Sequence, residues 1–270
     1  MINELDSGNY HRVRPLLREL TAYNVSISGL LNGVNPGRVF VDDPDDPQAA
    51  FIETVEGHHL SGDPTNDQFV VEVSGYLQTY FEHRYEMVLC LDPEGWKQRL
   101  DEVFTPHTYA TLNRRHYVCT KLTYTNWQQA LPGDFAVHRI DETLFNNQTL
   151  EIPDHIQSWI NNNWGTFDQY QRYGFGFCCV HQNKVVSWSV ADCASGSRCE
   201  IGIQTRPDYR QQGLAAITAA AAVDYALNNG FAEVGWHSEE SNIGSWKTAE
   251  KVGFIKERDY IQYLVMRDAS

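Results

Sequence analysis

The residues best suited to chemistry lie between Glu200 and Lys251. Arg210-x-x-Gly213-x-Ala215 stands between a stretch that reads as a strand, Glu200 to Thr205, and an alanine-rich stretch that reads as a helix from Leu214. The first N–H groups of a helix lack intrahelical partners and, with the helix dipole, favour an anion. Gly213 opens backbone conformations closed to other residues, Ala215 leaves room for close approach, and Arg210 can pair with phosphate oxygens. The turn is therefore expected to cradle a phosphate. Glu200 on that strand, and His237 and Glu239 at the end of the next, are candidates for receiving a proton; the imidazole has the more suitable ordinary pKa.

A single glycine-containing turn is explained equally well by an ordinary strand-to-helix loop. Two motifs in order are more specific. After the turn comes Asn242-x-x-Ser245-x-x-x-Ala249-x-Lys251-x-Gly253-Phe254. Together they resemble the GNAT superfamily of acyl-CoA-dependent N-acetyltransferases, whose signature is Arg/Gln-x-x-Gly-x-Gly/Ala followed by an Asn-led helix ending in Gly-Phe. The resemblance covers about the C-terminal half. Glu200-Ile-Gly-Ile, Trp236-His-Ser and Asn242-x-x-Ser are most similar to a two-domain bacterial subfamily that includes a zwittermicin A resistance acetyltransferase.

The resemblance implies acetyl-CoA as co-substrate, held in a cleft between two diverging strands, and direct attack by an amine without a protein nucleophile. It implies that Ile203 and Thr205 offer backbone groups to the pantetheine arm, and that Arg210, Gln211, Gln212, Gly213, Leu214 and Ala215 anchor the pyrophosphate. Asn242 then meets the cofactor or a relay water, and Ser245 and Lys247 contact the nucleotide end. Glu200 falls where many relatives carry a catalytic glutamate, with His237 or Glu239 replacing or assisting it. One departure stands out. Seven residues after the asparagine many relatives carry a tyrosine that protonates the leaving thiolate, and this chain has Ala249. Three readings follow from these residues: acetylation of a small primary amine, acetylation of a protein lysine or N-terminus, and acyl-CoA binding without turnover.

The rest of the chain must position these groups. With 270 residues it can form two modest domains, and the turn Pro132-Gly133 suggests a boundary near residue 130, giving domains 1–130 and 131–270. The fold class expected is α+β. A C-terminal GNAT fold, with a mixed, mainly antiparallel sheet flanked by helices, follows a smaller α+β domain whose element order allows a degenerate GNAT-like copy. In the first part, a helix is expected over 10–22 and a second over 24–31. A hairpin with an acidic loop follows at 38–55, then a helix at 67–80 and strands at 85–91 and 116–124. The four aspartates between Asp42 and Asp46 are not an EF-hand, because two prolines interrupt them and its glycine and closing glutamate are missing. His58 and His59 read as a solvated loop.

In the second part, a strand from Phe135, helices from Glu142 and Asp154, three antiparallel strands, the cradle, the alanine-rich helix, a strand at Glu233, a helix from Ile243 and a last strand at 260–265 are expected. The six cysteines lie mostly in expected strands without a Cys-x-x-Cys pair and read as reduced core residues. No metal is expected. A net charge of -14 disfavours nucleic acid and anionic membranes and would attract a cationic amine. No apolar stretch could span a bilayer and Met1 to Asp6 lacks the character of a secretory signal, so a cytoplasmic setting is expected. Oligomeric state is left open.

Overall fold

The computed structural model describes residues 2–268. The chain divides into two compact units, one holding the residues up to Arg114 and those from Tyr260 onward, the other Arg115–Asp259. Pro132 and Gly133, the expected boundary, lie within the second unit. The chain passes between units inside strands, where neither composition nor turn residues mark the change.

In the first unit, strands β1 (Asn3–Glu4), β2 (Arg38–Val41), β3 (Ala49–Thr54), β4 (Gly57–Gly62) and β5 (Glu86–Asp92) lie in chain order, with Tyr263–Met266 of the last strand antiparallel to β5. The β4–β5 pair is parallel, joined through helix α3 (Asp67–His83), which follows α1 (Arg18–Tyr23) and α2 (Val25–Leu31) and precedes α4 (Leu100–Phe104). Helix α3 forms because Phe69, Val70, Val73, Leu77 and Phe81 recur at helical spacing and bury one stripe against Phe51, Leu60 and Leu89. Asn66 caps it by accepting from the Phe69 N–H at 3.1 Å.

Three expectations are corrected here. The single helix over 10–22 is a 3-10 segment at Ser7–Arg12 followed by α1, and Pro15, which lacks an N–H, lies in the break. The strand expected at 116–124 is β6 (Thr108–Cys119), after which the Thr123 N–H donates to the Val252 carbonyl instead of a strand partner. His58 and His59 are not in a solvated loop: both are buried in β4. His58 stacks on Phe51 at 5.7 Å and meets the edge of Tyr80 at 5.2 Å.

Burial pushes the His58 pKa down to about 4, only partly opposed by its hydrogen bond to the Val88 carbonyl. The folded state thus favours the neutral ring. Its stabilising share is complete above the ordinary value near 6.5 and is lost as pH falls toward 4, roughly 2–3 kcal/mol by pH 4.5. Urea unfolding of wild type and His58→Phe at neutral pH and at about pH 4.5 should show the variant losing less stability on acidification. Equal losses would remove His58 as a source of acid sensitivity.

In the second unit the order is β6, β11 (Glu233–Glu239), β10 (Arg198–Thr205), β9 (Lys184–Ser195), β8 (Gly176–His181) and β7 (Phe135–Arg139). The β7–β8, β8–β9 and β9–β10 pairs are antiparallel, whereas β10 and β11 are parallel around α8 (Leu214–Asn228). Helices α5 (Glu142–Phe145), α6 (Asp154–Trp164) and α7 (Phe167–Tyr173) precede β8, and α9 (Ile243–Val252) precedes β12 (Ile255–Met266). Residues Ala216–Val223 of α8 are all buried; their small side chains let this helix approach the sheet closely. All six cysteines are free and buried.

Each unit repeats one order: antiparallel strands, a helix, then a strand parallel to the last. The first unit lacks the cradle, since Asn66 rather than a glycine opens α3. Gly62 has a positive φ of 84°, but the Gln48 carbonyl crowds the place where its side chain would stand.

Candidate active site

Gly213 is the hinge of the phosphate cradle. It caps α8 with φ 79°, a left-handed conformation that favours glycine, and the preceding Gln211 is also left-handed at 61°. The Ile217 N–H bonds the Gly213 carbonyl at 3.2 Å, so the N–H groups of Leu214, Ala215 and Ala216 come before the first intrahelical bond. These three residues line a cleft of about 700 Å³.

Of the eleven residues expected at the cofactor, ten line this cleft: Ile203, Thr205, Arg210, Gln211, Gly213, Leu214, Ala215, Asn242, Ser245 and Lys247. Gln212 does not. Its side-chain amide donates back to the Asp208 carbonyl at 3.3 Å, and it faces solvent. Two others already have structural work: Asn242 caps α9 by accepting from the Ser245 N–H at 3.2 Å, and the Ser245 hydroxyl accepts from Trp236 Nε1 at 3.0 Å. Thr205 bonds its hydroxyl to Ser187 at 2.8 Å, and its carbonyl accepts from Arg210 Nε at 3.4 Å.

Lys251 is a cleft residue that the motif reading named without a role. Its Nζ lies over the Tyr124 ring at 4.8 Å and 4.0 Å from where a Cβ on Gly213 would stand, so a cation overlooks the cradle. The signal for it was available, because Lys247 and Lys251 are four apart on one helix and share a face. With Arg210 they give the cleft three cations. An open glycine cradle, unbonded helix-start N–H groups and these cations fit a polyphosphate cofactor such as acetyl-CoA.

Glu200 is buried at 2% exposure. Its Oε1 lies 3.2 Å from His237 Nε2, and its Oε2 accepts from Cys193 Sγ at 3.0 Å. Gly235 makes this possible. It stands opposite Glu200 in the β10–β11 register, and a Cβ there would come within 2.8 Å of Glu200 Cγ and 3.3 Å of His116 Nε2. The carboxylate from β10 and the imidazole from β6 therefore meet over the bare backbone of β11. His116 also stacks on His237, with centroids 4.6 Å apart, and its Nδ1 lies 2.8 Å from Glu257 Oε2. Burial, then repulsion from a charged His237, push the His116 pKa down to about 4, while Glu200 and Glu257 act in the opposite direction.

Glu239 shares the face of His237 on β11, and its carboxylate accepts from the Ser241 hydroxyl at 3.3 Å. The β9–β10 register shifts between Glu200 and Ile201, opposite Asp192. Gly202 makes room for the Trp159 ring. Ala249 is fully buried and supplies no polar group. Glu200 and His237 do not line the cleft themselves; three residues of β10, about 10 Å, lead from Glu200 to Ile203 at its wall.

A parallel strand pair around a helix, with a glycine cradle at that helix start, makes an anion-binding site, and similarity across the chain gives its family. Residues 14–263 match the family described as GNAT acetyltransferase, and the chain belongs to that family. It is 26% identical to the uncharacterized N-acetyltransferase YdfB of Bacillus subtilis (strain 168), covering 88% of each chain. A GCN5-related N-acetyltransferase-like protein from Streptococcus suis 89/1591 has the same fold, with a TM-score of 0.75 at 24% identity, covering 96% of this chain and 99% of that one. A tandem GNAT protein from the clavulanic acid biosynthesis pathway also matches, at TM-score 0.60 and 9% identity over the whole of both chains. Among the described residues no helix is long and apolar enough to cross a membrane.

Proposed function

We propose that this GNAT acetyltransferase moves an acetyl group from acetyl-CoA to a small primary amine. The observation that carries the reading is the cleft at Gly213, where free helix-start N–H groups and the cations Arg210, Lys247 and Lys251 converge. Bound acetyl-CoA supplies the thioester carbonyl that the amine attacks. The cradle and the lysines hold the phosphates, and the backbone of Ile203 and Thr205 aligns the arm along β10.

An alkyl ammonium must lose a proton before it can attack. His237 receives it, and Glu200, buried at hydrogen-bonding distance, holds the imidazole and stabilises its charged form. The excess of 35 acidic over 21 basic residues favours a cationic acceptor.

Calorimetry with two ligands tests the cofactor assignment. Lys251→Met should weaken acetyl-CoA binding roughly tenfold, as expected for loss of one charge-assisted contact. The same variant should bind S-acetylpantetheine, which lacks the nucleotide phosphates, as wild type does. An equal loss for both ligands, or for neither, would contradict the phosphate role of Lys251.

A further inference from the structure

Four titratable side chains from four strands form one row through the second unit: Glu200 on β10, His237 on β11, His116 on β6 and Glu257 on β12. The inner three bring their polar atoms within 4.8 Å of one another, and they are buried or nearly so. Glu257 is different, with its side chain 44% exposed. The row thus runs from a buried carboxylate to one in contact with solvent.

We propose that His116, held by Glu257, is a positioning residue of the base, and that the charge of Glu257 sets the proton affinity of the buried cluster. This rests on the assignment of His237 and Glu200 as the base. The Glu257 carboxylate accepts from His116 Nδ1–H, which fixes the tautomer and leaves Nε2 as an acceptor pointing to the cluster. When an acceptor ammonium gives up its proton, an N–H bond breaks on the substrate and an N–H bond forms on the cluster. The added positive charge then lies between two carboxylates, and the stacked neutral ring of His116 keeps His237 in place. After the products leave, the proton returns to water.

Other charged and polar groups border the row. Arg258, beside Glu257 on β12, lies 3.6 Å from the same Oε2 and moderates its charge. Cys193 on β9 bonds the far oxygen of Glu200. Arg115, next to His116 on β6, is engaged with Glu240 at 2.7 Å and Asp259 at 3.7 Å. Two carboxylates, Glu200 and Glu257, thus face the two imidazoles, with Arg258 beside Glu257.

Glu257→Gln tests this directly, because it keeps an acceptor for Nδ1–H and removes the charge. In ¹⁵N-histidine NMR titrations of the whole protein, the apparent pKa of the cluster imidazoles should fall by about one pH unit. The acidic limb of kcat/KM, measured with whichever primary amine of a panel reacts fastest, should move the same way with acetyl-CoA affinity unchanged. His116→Phe keeps a ring against His237 but has no nitrogen, and should lower kcat/KM at least tenfold.

Superimposable histidine titrations in wild type and Glu257→Gln would overturn the proposal. So would full activity in His116→Phe, which would reduce His116 to a packing surface. If no amine reacts with the wild type, the base assignment fails while the NMR comparison still decides whether Glu257 controls the cluster.

Discussion

Gly213→Asp is expected to raise the dissociation constant for acetyl-CoA at least a hundredfold, about 2.7 kcal/mol, while leaving the protein folded. Three effects act in one direction. The backbone at Gly213 has φ 79°, which costs a residue with a side chain about 1–2 kcal/mol. The nearest atom to the new Cβ is Lys251 Nζ at 4.0 Å, so the added carboxylate would enter the cleft without a clash and neutralise a cation meant for phosphate. It would also repel the phosphates at short range. Gly213→Ala separates these terms, since it carries the backbone cost without the charge and should lose far less. Calorimetry on both variants, with circular dichroism to verify folding, decides the matter. Unchanged affinity in a folded Gly213→Asp protein would remove the cradle from cofactor binding.

The second large effect is expected at the Glu200–His237 pair. A positioned base contributes about 100-fold to 10,000-fold in rate. His237→Ala should therefore lower kcat/KM for the amine about a hundredfold or more, with acetyl-CoA affinity little changed. Glu200→Gln keeps the shape but removes the negative charge 3.2 Å from the imidazole, and a fall of at least tenfold is expected. Raising the pH should restore part of the rate, because the substrate then arrives already neutral. If Glu200→Gln is as active as wild type while His237→Ala is severe, the imidazole works without its carboxylate. If both are fully active, neither residue is the base.

The cradle was legible in the sequence because its physics is local. A strand, a glycine that must take a left-handed conformation and an alanine-rich helix are contiguous, and the expected Gly213 geometry is the one found. Helix α9 and its Asn242 cap were legible for the same reason, and the i, i+4 spacing of Lys247 and Lys251 could have been read further. The base cluster was only half legible. Glu200 and His237 lie on strands expected to follow one another, found here as the parallel β10–β11 pair, but His116 reaches them only because β6 lies on the other side of β11. Nothing in the residues around His116 encodes that long-range pairing. The glycine that permits the meeting, Gly235, looks in sequence like any strand glycine. His58 and His59 were misread because histidine is polar, whereas the aromatic rings of Phe51 and Tyr80 make a site for a neutral imidazole in β4.

The central claim, that this protein acetylates an amine, is tested most directly by following release of free CoA thiol from acetyl-CoA, with and without a panel of small primary amines spanning cationic, neutral and anionic members. The prediction is amine-dependent release matched by an equal amount of acetylated amine in the mass spectrum, with cationic members used best. Tight binding of acetyl-CoA with no amine raising thiol release above the amine-free rate, from neutral to alkaline pH, would contradict it and leave a protein that binds acyl-CoA without turnover.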